Sequence, residues 1–477
     1  MKVFIETYGC TFNQGDSEII AGTLLEEGMR IADSIEDADV VIVNTCYVKL
    51  PTESKIINRI KTIQNDFPDK KLIVGGCMVE VDPKKLENAG PTCSWIGPHQ
   101  LNKIGDVVKA TMNGEISRVS GFSKDSKVCV PKKRQDPLIH IIPICEGCLG
   151  QCTYCCTRFA RGSLYSYPIA DIVEEAKSAI EDGCVEIQLT AQDTSAFGKD
   201  SGEKLSDLIK EVANLKGDFK VRVGMMHPKN IDIDLEDLID AFKLPNVYRF
   251  IHLPIQSGSN KVLKEMKRNH TVEEYKHIVN RFREEIPDLT IATDIIVGYP
   301  TETEKDFMKT AELIEDIKFN LIHLSKYQHR EGATSSNLPN IPSDVMKRRS
   351  KYLSDIKFKI IEEENKELLG KDLDVVVVEK GDKLRFDITH AARLINTEEY
   401  AIADATALYG FIAGILASNS DITNVFVDST LSICANDMTA LTAVISKLEK
   451  ISGDAEIVLT VSATTDDLAA DIKSLVI

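Results

Sequence analysis

Over residues 1–112, short apolar runs alternate with stretches whose apolar side chains recur every three or four positions. "KVFIETYG", "DVVIVNT" and "KLIVGG" read as strands, and amphipathic helices are predicted near 16–28, 52–66 and 83–89. Strands that alternate with helices build a parallel sheet covered by those helices, here a flavodoxin-like N-terminal domain at 1–112. Residues 113–136 lose the periodicity, are polar and irregular, and read as a linker.

A second alternation begins at residue 137. "LIHIIPI", "VEIQLT", "KVRVGMM", "RFIHLPI", "TIATDIIV" and "NLIHLSKY" read as strands, with helical periodicity at 168–182, 203–215, 234–242, 259–285 and 303–317. This pattern predicts a partial (β/α)6 barrel over 137–342, with its chemistry at the carboxyl ends of the strands. A charged helix is expected from about 343 to 369, and "KDLDVVVVEKG" reads as one strand in the segment ending at 383. From Leu384 the chain becomes Ala/Ile/Thr-rich. Helix, strand ("TNVFVDS"), helix, strand ("AEIVLTVSA") and helix predict a small C-terminal α/β domain at 384–477.

Charge changes this picture in one respect. The 477 residues carry a net charge of −17, which argues against indiscriminate phosphate binding. Residues 384–477 hold five Lys/Arg against thirteen Asp/Glu, a net of −8, which leaves −9 for the first 383 residues. Locally basic stretches remain at 127–134 ("KVCVPKKR") and 346–359 ("MKRRSKYLSDIKFK"). Each is a place to meet a nucleic acid or, more plainly, a solvated linker or helix face. "ATALYGFIAGILASN" from Ala405 is too short to span a bilayer and reads as a buried helix. The opening residues show no basic-then-apolar leader, so the expectation is a cytoplasmic protein without membrane contact.

Twelve cysteines in a reducing compartment point to metal ligation before disulfides. Cys148, Cys152 and Cys155 stand in "GCLGQCTYC", just after the first strand of the second alternation. A zinc ribbon separates its two pairs by a long loop, and only three residues lie between Cys148 and Cys152. The segment is rich in Gly, Gln, Thr and Glu, which argues against plain core cysteines. A 4Fe–4S cluster on three thiolates remains, with one iron open to a small molecule's amino and carboxylate groups. Cys10, Cys46 and Cys77 each follow one of the first three strands. The carboxyl ends of parallel strands face one crevice, so these three predict a second cluster. Cys93, Cys129, Cys145, Cys156, Cys184 and Cys434 fit neither set.

The spacing of Cys148, Cys152 and Cys155 after a barrel strand resembles the radical S-adenosylmethionine (SAM) superfamily. "TYGCTFNQGDSE", "NTCYVK", "GGCM", "GCLGQCTYCCTRFARG", "HLPIQSGSNKVLKEMKR", "ATDIIVGYPTET" and "HREGATSS" are together similar to the successive signatures of the methylthiotransferases. The likeness covers about residues 1–383, and the wording around Cys10 and Cys46 resembles the archaeal and eukaryotic branch associated with N6-threonylcarbamoyladenosine in tRNA. Within 343–383 the strand is similar to the first strand of that family's β-barrel tRNA-binding domain. After it the resemblance stops.

The resemblance implies transfer of a methylthio group to carbon 2 of that adenine, at position 37 in the tRNA anticodon loop. It implies that the cluster on Cys148, Cys152 and Cys155 generates a radical from SAM. The cluster on Cys10, Cys46 and Cys77 would hold the sulfur, SAM serving also as methyl donor. An electron donor and a sulfur source are required partners. Gln256 and Ser257 in "PIQSGS" stand where SAM's ribose or carboxylate could be met, or form an ordinary polar turn. Gly298 and Pro300 mark either a ligand approach or a strand-to-helix turn. Arg161 and Arg330 read as cluster or substrate contacts, or as surface arginines. His252 and His323 read as satisfied core histidines. Other readings stay open: isopentenyladenosine in tRNA, an aspartate of a ribosomal protein, or a non-catalytic iron–sulfur or zinc protein.

Overall fold

The computed structural model describes residues 1–231, 234–368, 375–379, 392–397, 402, 404–418, 424–451, 456–463, 468 and 473. The chain divides into two units, Met1–Lys357 and Phe358–Ile477.

Unit one opens with a six-stranded parallel sheet. Its strands are β1 (Lys2–Thr7), β2 (Arg30–Ile31), β3 (Val40–Thr45), β4 (Lys71–Gly76), β5 (Ser94–Ile96) and β6 (Arg118–Val119). The order is β2-β1-β3-β4-β5-β6, a doubly wound flavodoxin-like arrangement. Every residue of β3 is buried, as a central parallel strand with helices on both faces requires. Val40 and Ile42 pack on one face with Ile19, Ile20, Leu24 and Ile104. Val41 and Val43 pack on the other with Ile56, Ile60 and Met78. Each such side chain contributes about 1.5–3 kcal/mol on burial. The three predicted strands are present. The short strands β2, β5 and β6 were not legible, and β6 lies inside the expected linker, so the sheet extends past residue 112.

The six barrel strands stand where the periodicity puts them: β7 (Ile139–Pro143), β10 (Glu186–Thr190), β11 (Lys220–Val223), β12 (Phe250–His252), β13 (Thr290–Val297) and β14 (Leu321–Lys326), with a two-residue hairpin pair β8 (Cys145–Glu146) and β9 (Tyr165–Ser166) after β7. They form two parallel half-barrels, β11-β10-β7 and β12-β13-β14. The helix expected at 259–285 is in fact two helices, Asn260–Glu265 and Val272–Glu285. Lys267 and Asn269 take left-handed φ values of 55°, and Thr271 with Glu274 forms a capping box that restarts the helix.

In unit two, β15 (Val375–Glu379), β16 (Ala392–Asn396), β17 (Asn424–Val427) and β18 (Glu456–Leu459) form a parallel sheet of order β16-β15-β17-β18. The expected barrel-like strand is therefore β15, an inner strand with parallel partners on both sides, and it belongs to the C-terminal α/β unit. The boundary expected at 384 falls earlier, after Lys357. Ala405–Ser418 is helical as predicted, and Leu408 and Ile412 pack with Val425, Val427, Leu441 and Val444. The last expected helix, beyond 463, lies outside the described residues apart from 468 and 473. Among the described residues no helix is long and apolar enough to cross a membrane.

Candidate functional site

Each of the first three cysteines is delivered by a strand end. Cys10 is the N-cap of helix Thr11–Glu26, directly after β1. Cys46 follows β3 and is buried. Cys77 follows β4 and opens helix Cys77–Val81. Glycine precedes two of them for a steric reason. Gly9 has φ +115°, and a Cβ there would lie 2.7 Å from Cys46 Cβ. Gly76 has φ +89°, and a Cβ there would lie 2.4 Å from Asn44 Oδ1 and from Thr45 O. Both turns require a residue without a side chain. The three thiols share one place, since Cys46 is influenced by charge on Cys77 and Cys10, and Cys77 by charge on Cys10.

The second set sits in the loop after β8. Gly150 lies against both Cys148 Sγ and Cys152 Sγ, and Cys148 is influenced by charge on Cys155 and Cys152. Donors surround the sulfurs. Gly150 N donates to Cys148 Sγ at 3.2 Å, and Arg268 Nη1 to Cys152 Sγ at 3.7 Å. Hydrogen bonds from Thr157 and Arg158 oppose the rise in the Cys155 pKa. Helix Cys77–Val81 packs against helix Thr157–Arg161, which follows the Cys155 loop, so the two sets stand on adjoining elements. Cys156 stands between them. It is influenced by Cys155 and Cys77 and donates to Tyr47 O at 3.4 Å, within the core of the first sheet.

Burial pushes the thiol of Cys46 up to about 11 and that of Cys148 up to about 12, and raises Cys77 and Cys155 as well. Such thiols stay protonated unless a metal displaces the proton. The donor set fits an iron–sulfur cluster. A tetrahedral zinc would hold its sulfurs about 3.8 Å apart. Among the described residues no three cysteine sulfurs lie within 4.8 Å of one another. Sulfurs ringed by N–H donors are those that hold clusters and tune their potential.

A buried ion network ties the two sets together. Arg161 is 2 % exposed, with Nη2 2.7 Å from Asp16 Oδ2 and Nη1 2.9 Å from Glu146 Oε1. Its guanidinium lies over the Phe12 ring at 4.7 Å and partly opposes the rise that burial imposes on the Cys77 thiol. Lys127 Nζ lies 2.7 Å from Asp16 Oδ1 and 2.8 Å from Glu146 Oε1. Arg330 is 5 % exposed and pairs with Glu53 at 2.6 Å. Neither arginine is a surface residue, which corrects that reading. The stretch 127–134 is likewise no free basic patch, because Lys132 pairs with Glu175 and Arg134 with Asp182. In the second stretch Arg349 is buried against Glu302, while Arg348 is exposed.

Gln256 follows β12 at φ +77° and bridges to Ile295. Ser257 is fully buried, and its Oγ accepts from Ser259 N at 3.2 Å. At Gly298, φ is +81° and a Cβ would lie 2.5 Å from Met346 Cγ, so the close approach there is to a neighbouring helix. His252 Nε2 lies 3.3 Å from Asp294 Oδ2, so its partner is a carboxylate of the neighbouring strand. Arg268 went unread because the periodicity placed it inside a continuous helix, and its signal was the Lys–Arg–Asn break of "MKRNHT".

Residues 2–97 match the family described as uncharacterized protein family UPF0004, and residues 142–314 match the radical SAM superfamily. A probable threonylcarbamoyladenosine tRNA methylthiotransferase of Methanothermobacter thermautotrophicus is 57% identical over 383 residues, 80% of this chain and 90% of that protein. The human threonylcarbamoyladenosine tRNA methylthiotransferase is 37% identical over 397 residues, 82% of this chain and 68% of that protein. The solved radical SAM methyltransferase TsrM of Kitasatospora setae shares the fold, with TM-score 0.53 at 14% identity over 70% of this chain and 75% of that one. The chain belongs to the threonylcarbamoyladenosine tRNA methylthiotransferases, a family of radical SAM enzymes.

Proposed function

We propose that this enzyme transfers a methylthio group to carbon 2 of N6-threonylcarbamoyladenosine at position 37 of tRNA. The observation that supports the reading is the packing of helix Cys77–Val81 against helix Thr157–Arg161, which brings the elements of the two cysteine sets together beside Cys156. Carbon 2 of adenine is an unactivated aryl C–H, and no side-chain base removes such a hydrogen in water. When bound, two 4Fe–4S clusters and SAM supply the radical chemistry and the sulfur that the side chains lack.

The residues do the rest. Cys148, Cys152 and Cys155 would hold one cluster with an iron left open for SAM. Cys10, Cys46 and Cys77 would hold the other. Gly150 N and Arg268 place hydrogen-bond donors on the first set's sulfurs, and Arg161 places its charge beside Cys77. The turn with Gln256 and Ser257 lies at the end of β12, where SAM's polar groups would be met. An anticodon-loop base is single-stranded enough to be splayed into the barrel, whose lumen would shield the reacting carbon from water. An electron donor and a sulfur source complete the reaction in the cytoplasm.

Mass spectrometry of tRNA nucleosides from cells with and without the protein tests this reading. Loss of the methylthio form of threonylcarbamoyladenosine is expected. An unchanged profile would turn the assignment to isopentenyladenosine or to a ribosomal-protein aspartate.

A further inference from the structure

The second half-barrel carries a group of metal donors to which no role has been given above. Asp294 and His323 are register partners across β13 and β14. His252 on β12 is the partner of Ala292, two residues before Asp294. Residues i and i+2 of a strand point to the same face. The parallel register thus brings two imidazoles and a carboxylate to one spot. One donor atom from each lies within 4.8 Å of the other two, and no other trio of His, Cys, Asp or Glu among the described residues meets that spacing. The outward face of β13 is occupied otherwise: Ile291, Thr293 and Ile295 are buried, and Tyr275 of the covering helix reaches Thr293. The trio therefore faces the lumen.

Within the trio, the close approach is between His252 and Asp294. His252 Nε2 lies 3.3 Å from Asp294 Oδ2, and the contact misses good hydrogen-bond geometry. Two ligands on one ion, each about 2.1 Å from it, sit about 3.0–3.4 Å apart. The observed separation is one that two ligands of a shared ion also have.

The surroundings add one condition. Lys49, on the loop after Cys46, acts electrostatically on both Asp294 and His323, and Lys357 acts on His323. Two nearby cations oppose a bare dication. They suit an ion whose open positions carry an anionic ligand, which would lie toward the lysines.

We propose that His252, Asp294 and His323 form a mononuclear site for a divalent first-row metal ion, in the two-histidine, one-carboxylate pattern that keeps coordination positions open. None of its donors is sulfur, so it is chemically distinct from both cysteine sets and does not depend on the tRNA reading.

The test is Mn(II) titrated into the full-length, cluster-loaded protein under oxygen-free, oxidised conditions. The cysteines are then occupied, and the free Mn(II) resonance is followed by electron paramagnetic resonance. About one equivalent should bind saturably, and Asp294→Asn and His323→Gln should each weaken it by roughly tenfold or more. Iron and sulfide content and the thermal midpoint should stay at wild-type values, which separates loss of the site from loss of the fold. Absence of saturable uptake overturns the proposal, as does uptake that survives both substitutions. If the variants bind no less Mn(II) but raise KM for tRNA, the trio is a nucleobase contact and the metal assignment is wrong.

Discussion

Arg268 aims Nη1 at Cys152 Sγ from 3.7 Å while Nη2 donates to Pro254 O at 2.5 Å, so one guanidinium joins a cluster-set sulfur to the end of β12. A cation beside a ligand sulfur favours the reduced, more negative cluster. Arg268→Gln should therefore lower the reduction potential at Cys148, Cys152 and Cys155, by roughly 60 mV if the interaction is worth about 1.4 kcal/mol. A redox titration followed by electron paramagnetic resonance measures it. A lowered thermal midpoint with an unmoved potential would assign Arg268 a packing role only.

Gly9→Ala and Gly76→Ala address the other set. Each puts a Cβ into backbone or cysteine atoms at a positive φ, a strain of about 1–3 kcal/mol before the clash is counted. Both variants should lose about half of the iron, that of one 4Fe–4S cluster, and keep the rest. Iron analysis of anaerobically purified protein would show it, and wild-type iron in both would remove the steric argument.

The network around Arg161 should respond sharply to losing one partner. Asp16→Asn leaves Arg161 and Lys127, 2 % and 4 % exposed, sharing the carboxylate of Glu146. Breaking a buried pair in this way costs about 3–5 kcal/mol. Arg348→Ala removes an exposed contact to Glu304 and should change stability by less than about 1 kcal/mol. Urea midpoints of the two variants make the comparison.

Glu18 supplies a pH dependence of definite sign. Its Oε1 accepts from Gln135 N at 3.2 Å, Oε2 has no partner, and burial pushes its carboxyl up to about 7. A pKa raised on folding means that the stabilising protonated form is fully present below the unfolded value, about 4.3, and is lost as pH rises through 7. Glu18→Gln should thus gain roughly 2–3 kcal/mol over wild type at pH 8 and about nothing near pH 4. Urea unfolding across that range would reveal a slope of the opposite sign if the carboxyl were instead held ionised.

The positions of β1, β3 and β4 and of all six barrel strands were legible because each is a short apolar run bounded by turn residues. The edge strands β2, β5 and β6 were not, since two or three residues carry no periodicity. β15 was misplaced for a different reason. "VVVVE" fits a barrel strand as well as a parallel one, and only its partners decide between them.

The sequence by itself singled out the two cysteine sets as candidates, because a cysteine at the end of each parallel strand and a tight Cys spacing after another are local features. Tertiary structure alone decided what surrounds them. Arg161, Asp16, Glu146 and Lys127 meet across as many as 145 positions or fewer than 20, and no spacing rule links such residues. The helix break that frees Arg268, and the register that sets His252, Asp294 and His323 together, depend on strand pairing and packing. Charge burial is a property of the assembled interior, so the sequence can name an ionic side chain but cannot say which water it has lost.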